Sequence, residues 1–430
     1  MELPFGTPLM KQLKFLSLFF LIMTYAAAGS ASDSFRTDIN PALRYYQGYL
    51  VAPDLRQEDR DYLLNREWRG QKLPERFAEL VARYDKQFSQ VRAAAHATVP
   101  CDWGVDMTPG PATLLPQLAR NKAVAQAARL RAMWDLQNGK QSEARDDLLG
   151  AFALARNCSR DGTLIAALVQ IAMENIIYNA VAENCYQFAP ETLDQLVAGF
   201  DAAPPRGTIA ACIPVEKASF HDWLVGKIVQ LQKENPGNDA KVMEGIRDLV
   251  VGFDSGEEGQ TGPGHLWEQL AKVSGGTSDG IVKLLKEAET YYVRAERILA
   301  LPRVQYEQEM TSFSAEIHQS SNPFISQLLP AWEKCRTREF GTLIAQQMVR
   351  AAVQYKLHGE AAFKQVIDPC GEGPFAFERF AFEGVDRGFK LKSAYNARGF
   401  QEGLIFVEKD GPAFQVNGDK VGRPVPMPAK

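Results

Sequence analysis

Asp102 and Asp106 stand four residues apart in the stretch PCDWGVDMTPGP, residues 100–111. Such a pair could bind a cation, or share a proton as acid and base. In a loop that spacing fixes no mutual geometry. Three prolines and two glycines in the same stretch favour a stiff corner between helices. In that reading Asp102 or Thr108 closes turns through side-chain to backbone bonds, Trp103 plugs the helix ends, and Gly110-Pro111 starts the next helix. Asp102, Trp103 and Asp106 are therefore the candidate binding residues, and no catalytic residue is assigned.

Other reactive residue types are scattered. His96, His221, His265, His318 and His358 share no ligand spacing of the HExxH kind, so no metal site is expected. His221-Asp222 has the composition of a base and its partner, but adjacent residues on a regular helix point different ways, which favours a surface or interface histidine. Glu174 falls in the most apolar stretch of the chain, and Gln170 four residues earlier suggests that both lie on a thin exposed stripe. No phosphate loop, nucleophile elbow or dinucleotide fingerprint occurs, which argues against those enzymes and their cofactors. The six cysteines, Cys101, Cys158, Cys185, Cys212, Cys335 and Cys370, include no CxxC pair, so bridging or burial is favoured over redox or zinc chemistry. If the helices ending near Asn138 and beginning near Gln141 are antiparallel, Cys101 comes close to Cys158, and a bridge between them is worth about 2–4 kcal/mol. A Cys158–Cys185 bridge is disfavoured, because the central helix separates the two.

These residues need elements to hold them. The chain has 430 residues, 46% hydrophobic and 23% charged, enough apolar material for two lobes or an elongated array. Its 48 basic and 52 acidic residues give a formal charge of −4 without basic clusters, so neither nucleic acid nor anionic lipid is an expected partner. Lys11 and Lys14 precede the apolar run Phe15 to Met23, and small residues follow at cleavage spacing around Ala28 and Ala31. That is the pattern of a secretory signal peptide over 1–31, with Met10 a more conventional start than Met1. The run is short for a bilayer span, so no stable membrane span is expected after cleavage. The expected location is the cell envelope, periplasmic or extracellular.

Helical periodicity dominates from about residue 40 to 358. Asn40-Pro41 reads as an N-cap and first helical position. Phe77, Leu80, Val81, Tyr84, Phe88 and Val91 make one apolar face. A pattern from about Ala112 to Asn138 is broken by Gly139 and resumes to about Arg156. Residues 163–184 are apolar nearly all round and predict the central, mostly buried helix, about 33 Å long. Helices follow over about 190–203, 209–231 and 240–251. Glycine-rich loops around HLWEQLAKV mark the expected lobe boundary. Ile281 to Leu299 is strongly amphipathic, Pro302 bends the chain into another helix, and Asn322-Pro323 caps a further one with Pro330 near its start. FAFERF, GFKLKSAY and GLIFVEK alternate like strands. The expected division is an N-terminal helical lobe over 32–253, glycine-rich loops with a short helix over 254–280, and a C-terminal helical lobe over 281–360. A small β element over 361–412 and a proline-containing, extended or disordered tail over 413–430 complete it.

Ala132, Gly139, Ala144, Leu148 and Ala151 match five positions of the tetratricopeptide pattern, in which small side chains let two antiparallel helices approach closely. The unit resembles one such repeat, without a second clean copy. The expected fold is mainly α: an irregular antiparallel helical array or bundle with tetratricopeptide-like helix pairs and a small C-terminal antiparallel β-sheet. NPALRYYQGYLV at 40–51, CDWGVDMTPGPATLLPQL at 101–118, the stretch at 129–172, NPFISQLLPA at 322–331 and the ending at 368–395 together resemble a group of uncharacterised, exported, mostly helical bacterial proteins. Cys370 departs from that group's usual ending, and no activity comes with the resemblance. The function expected is an exported helical scaffold of the bacterial envelope, without identifiable catalysis, that binds protein or peptide through a groove between helix pairs. Two alternatives remain: an exported hydrolase using scattered carboxylates, with a deep acid-lined pocket at the 100–111 loop, and a self-associating structural component.

Overall fold

The computed structural model describes residues 38–57, 59, 72–251, 265–326, 331–397, 400–417 and 420–423. The expected signal segment, most of the glycine-rich stretch before His265, Pro330 and the end of the tail lie outside the described residues.

The chain is mainly helical. Helix α1 (Pro41–Leu50) begins where the sequence places it, with the Asn40 side chain accepting from the Ala42 amide at 3.0 Å. The apolar face expected over 77–91 is divided between α2 (Phe77–Arg83) and α3 (Asp85–Ala95). Tyr84 at the joint stays buried with Phe88 and Val91, so the face remains continuous although the helix breaks. After the 96–116 loop, α4 (Gln117–Gln137) and α5 (Gln141–Cys158) turn on Gly139, whose φ of +74° suits a residue without a side chain. Helix α4 starts later than its apolar pattern suggests, because Gly110–Ala112 forms only an isolated 3-10 turn.

Helix α6 (Leu164–Glu183) is opened by Thr163, whose hydroxyl accepts from the Ala166 amide. By length and composition it could cross a membrane, yet more than half of its apolar window is buried by neighbours. It is the central helix, in contact with α4 and α5 and with elements from the far end of the chain. The expected exposed stripe on it is overturned: Gln170 and Glu174 are both fully buried. Glu174 pairs with Arg156 at 2.8 Å and Arg206 at 2.5 Å, and Gln170 takes the Gly207 amide at 3.1 Å. The two arginines, from other elements, make the burial of this carboxylate tolerable.

Helix α7 (Pro190–Ala202) follows, and the single helix expected over 209–231 is interrupted. Helix α8 (Ile209–Glu216) contains Pro214, a widened π-type turn spans Lys217–Asp222, and α9 (Trp223–Glu234) resumes the ordinary pitch. Helices α10 (Asp239–Val251), α11 (His265–Val273), α12 (Ser278–Leu299) and α13 (Arg303–Gln319) come next. The short α14 (Pro323–Ser326) leads to the long α15 (Ala331–His358), which stops at Gly359 with φ +79°, and to α16 (Glu360–Phe363).

The predicted C-terminal sheet is present. Strands β1 (Ala376–Phe382), β2 (Val385–Ala397) and β3 (Phe400–Val407) pair antiparallel in that order. Part of the expected extended tail instead forms a small hairpin, β4 (Gln415–Asn417) with β5 (Lys420–Gly422). Phe414, just before it, packs on Phe380 and Phe382 and fixes it to the sheet. One connected core of buried side chains runs from Ala42 to Phe406, so the helices before and after the 254–280 stretch share a single interior.

Candidate functional site

The 100–111 stretch is a corner in this structure. Asp102 Oδ1 accepts from the Gly104 amide at 2.9 Å, and Asp106 Oδ1 from the Thr108 amide at 2.9 Å, so each carboxylate closes its own turn. The Thr108 hydrogen bonds hold the exposed Asp106 carboxyl below the ordinary range. Asn40 fastens the corner to α1, donating to the Asp102 carbonyl and accepting from its amide. Trp103 is buried, stacks on Tyr45 at 5.6 Å and donates its indole N–H to the Asn157 carbonyl at 2.7 Å. Farther along, Gly110 lies under the Trp223 ring, where a Cβ would approach within 2.6 Å.

The expected Cys101–Cys158 bridge is absent, and all six cysteines are buried free thiols. The predicted neighbourhood is real, since Trp103 ties the corner to the end of α5 next to Cys158. The thiols, however, have different surroundings: Cys158 Sγ points to the Ala166 carbonyl at 3.8 Å, while Cys101 lies beside the start of α1. Burial pushes both up to about 12, so neither is a ready thiolate.

His221 is also placed differently from expectation. It is buried, with Nδ1 2.7 Å from Asp222 Oδ1 and Nε2 2.8 Å from the Leu285 carbonyl. The widened turn at 217–222 changes the angular step between neighbours and lets adjacent residues meet. His221 thereby joins this turn to α12. Among the described residues no group of three or more His, Cys, Asp or Glu side chains is placed to hold a metal ion.

The candidate site lies elsewhere, in a trough of about 650 Å³ over α6. That volume is within the range of about 300–1,000 Å³ usual for ligand sites. No residue of the 100–111 corner lines it. Its floor is the half-buried stripe Leu168, Ala172, Asn175, Ile176 and Asn179, at steps of three and four along α6. One wall is the α4 face bearing Lys122, Gln126 and Arg129. The other combines Arg338, Gly341, Ala345 and Met348 of α15 with Glu402 and Leu404 of β3.

Several bonds hold this frame. Asn175 donates to Thr342 Oγ1 at 2.9 Å, and Lys356 reaches the carbonyls of Cys185 and Phe188, so α15 runs alongside α6 in the same direction. Arg129 grips Glu183 with Nε at 2.8 Å and Nη2 at 2.6 Å, closing one end of the trough with a neutralised pair. Small residues keep the channel open at Ala172, Gly341 and Ala345.

Glu402 differs from the other acids here. It is half-buried, no described side chain or amide donates to its carboxyl, and burial alone pushes it up. Gly341 makes room for it, since a Cβ there would lie 2.8 Å from Glu402 Oε1. Sequence reasoning missed Glu402 because it is an ordinary glutamate in a strand, and its isolation comes from packing against a helix some sixty residues earlier. The one available hint is a glycine in the middle of a long helical pattern.

No protein-family model, curated protein or solved structure matches the chain.

Proposed function

We propose that this protein is an exported, helical binding protein of the bacterial envelope that receives an extended peptide or protein segment in the trough over α6. The observation that carries this reading is the uncovered stripe on the central helix between two rigid walls. The apolar central helix leaves Leu168, Ala172 and Ile176 half-buried in the trough together with two carboxamides, a mixture that suits a peptide's side chains and main chain. The signal-peptide pattern at the N-terminus supports export. The buried thiols are compatible with an oxidising compartment, because their burial and raised ionisation keep them from reacting.

The test is a selection of randomised heptapeptides on the immobilised protein, run beside Ala172→Trp, which fills the trough floor. Peptides retained by the wild type and lost by the folded variant support the reading. Peptides retained equally by both, or no enrichment on the wild type, overturn it.

A further inference from the structure

We infer that the trough recognises a cationic side chain, lysine or arginine, of the segment that it binds, and that Glu402 is the residue that receives it. This rests on the peptide-binding reading above and adds the chemistry of the recognised group.

The Glu402 carboxyl lies against the α15 backbone at Gly341, with Oε1 2.8 Å and Cδ 3.1 Å from where a Cβ would stand. Leu404 is beside it on β3, and Ile344 and Ala345 continue the wall along α15. These apolar neighbours withdraw the carboxyl from water without offering it a donor. Four other buried acids among the described residues have a cationic partner: Glu174 in Arg156 and Arg206, Glu183 in Arg129, Asp147 in Arg92 and Arg131, and Glu339 in Arg336. Asp368 is held by Ser393 and the Ala394 amide, and Asp135, buried without an ion pair among these residues, lies outside the trough. Glu402 has no such partner among the described residues, and of the two acids that line the trough it is the one without a cation.

The charges on the same trough do not supply the missing partner. Arg129 is committed to Glu183 across the floor. Lys122 is on the α4 wall, and Arg338 is exposed one turn before Gly341; neither bears on the Glu402 carboxyl. A desolvated carboxylate on an apolar wall gains most from a cation that arrives with an apolar stem, as lysine and arginine side chains do.

The length of the trough favours a peptide over a free amine. From Leu168 to Glu183 the floor runs about 22 Å at helical rise, which is about six or seven extended residues. The carboxamides of Asn175 and Asn179 lie along that path and can meet main-chain groups. A small amine would occupy only the part of the trough beside Glu402.

The experiment uses the randomised heptapeptide selection on wild type and on Glu402→Gln, with free agmatine as competitor. Because no described group depends on the Glu402 charge, Glu402→Gln should fold as the wild type does, which its circular dichroism and melting temperature check. The expected result is enrichment of lysine or arginine at one position on the wild type only. A selected arginine peptide should bind at least about tenfold more tightly to the wild type than to Glu402→Gln, the usual weight of a hydrogen bond to a charged group. Replacing its arginine by citrulline should cost the same factor on the wild type and nothing on the variant. Peptides selected without basic residues, or with equal affinity for both proteins, overturn the assignment and leave the peptide-binding reading standing. Agmatine that matches the peptide in affinity makes the ligand a free amine and overturns it as well. A wild type that selects no peptide removes both.

Discussion

Trp103 donates its indole N–H to the main-chain carbonyl of Asn157 at 2.7 Å, joining the 100–111 corner to the last turn of α5 across the flank of α1. The same ring stacks on Tyr45, and Tyr46 meets it edge-on at 5.6 Å. The corner is thus part of the N-terminal core. Trp103→Ala should destabilise the protein by about 3–5 kcal/mol, as truncation of a buried tryptophan does. Urea unfolding followed by circular dichroism checks this. Replacing Asp102 and Asp106 by alanine should lower the unfolding midpoint by less and leave binding in the trough unchanged. Binding lost from a stable double variant would return the corner to the list of ligand sites.

The cysteines give a second prediction. Mass spectrometry of the unreduced protein should find six free thiols, and a thiol reagent should label them slowly until denaturant is added. All six are buried, and burial drives Cys101 and Cys158 up to about 12, so the reactive thiolate is scarce at neutral pH. A Cys101–Cys158 disulfide in the purified protein would contradict the arrangement in which both are buried free thiols.

Asp135 predicts a pH dependence with a definite sign. It is buried on α4, and burial raises its carboxyl from 3.8 to about 6, with Asp147 and Glu143 adding to the rise and Arg131 and Lys140 opposing it. Between those two values the folded protein holds a proton that the unfolded chain has released. Stability contributed by this group therefore falls as pH rises from about 4 to about 6, with a slope of at most about 1.4 kcal/mol per pH unit. Asp135→Asn should remove that part of the slope and leave the protein more stable at neutral pH. Urea midpoints at pH 4, 5, 6 and 7 for both proteins provide the check; identical slopes would refute the assignment to Asp135.

Much of the fold is legible because it rests on local repetition. The all-round apolar run at 163–184 could only be an enclosed helix, and Asn40, Gly139 and Gly359 mark ends that the backbone then takes. The strands follow from alternation and glycine spacing. What stays hidden depends on partners distant in sequence. Gln170 and Glu174 look like an exposed stripe until Arg156, Arg206 and the Gly207 amide are brought beside them. With that face enclosed, the uncovered side of α6 is the one bearing Asn175 and Asn179. A local irregularity also escapes periodicity: the widened turn after Pro214 re-aims His221, which a regular helix would have kept apart from Asp222. The trough itself has no sequence signature, since its floor, walls and one carboxylate come from four elements.

Gly341 supplies the last prediction, in which stability and binding should part company. It sits in the interior of α15, where alanine is ordinarily better than glycine by about 1 kcal/mol. Apart from the Glu402 side chain, nothing nearer than ordinary contact distance stands where a new methyl group would go. That obstacle is the free end of a side chain with no bond to break, so it can swing away at little cost. Gly341→Ala should accordingly melt at the wild-type temperature or slightly above it. Moving the carboxyl off the helix backbone should nevertheless weaken lysine- or arginine-bearing peptides, while peptides without a basic residue are unaffected. A destabilised variant would mean that α15 and β3 pack more tightly than the distances indicate, whereas unaltered affinity for basic peptides would mean that they do not meet Glu402 where it lies against Gly341.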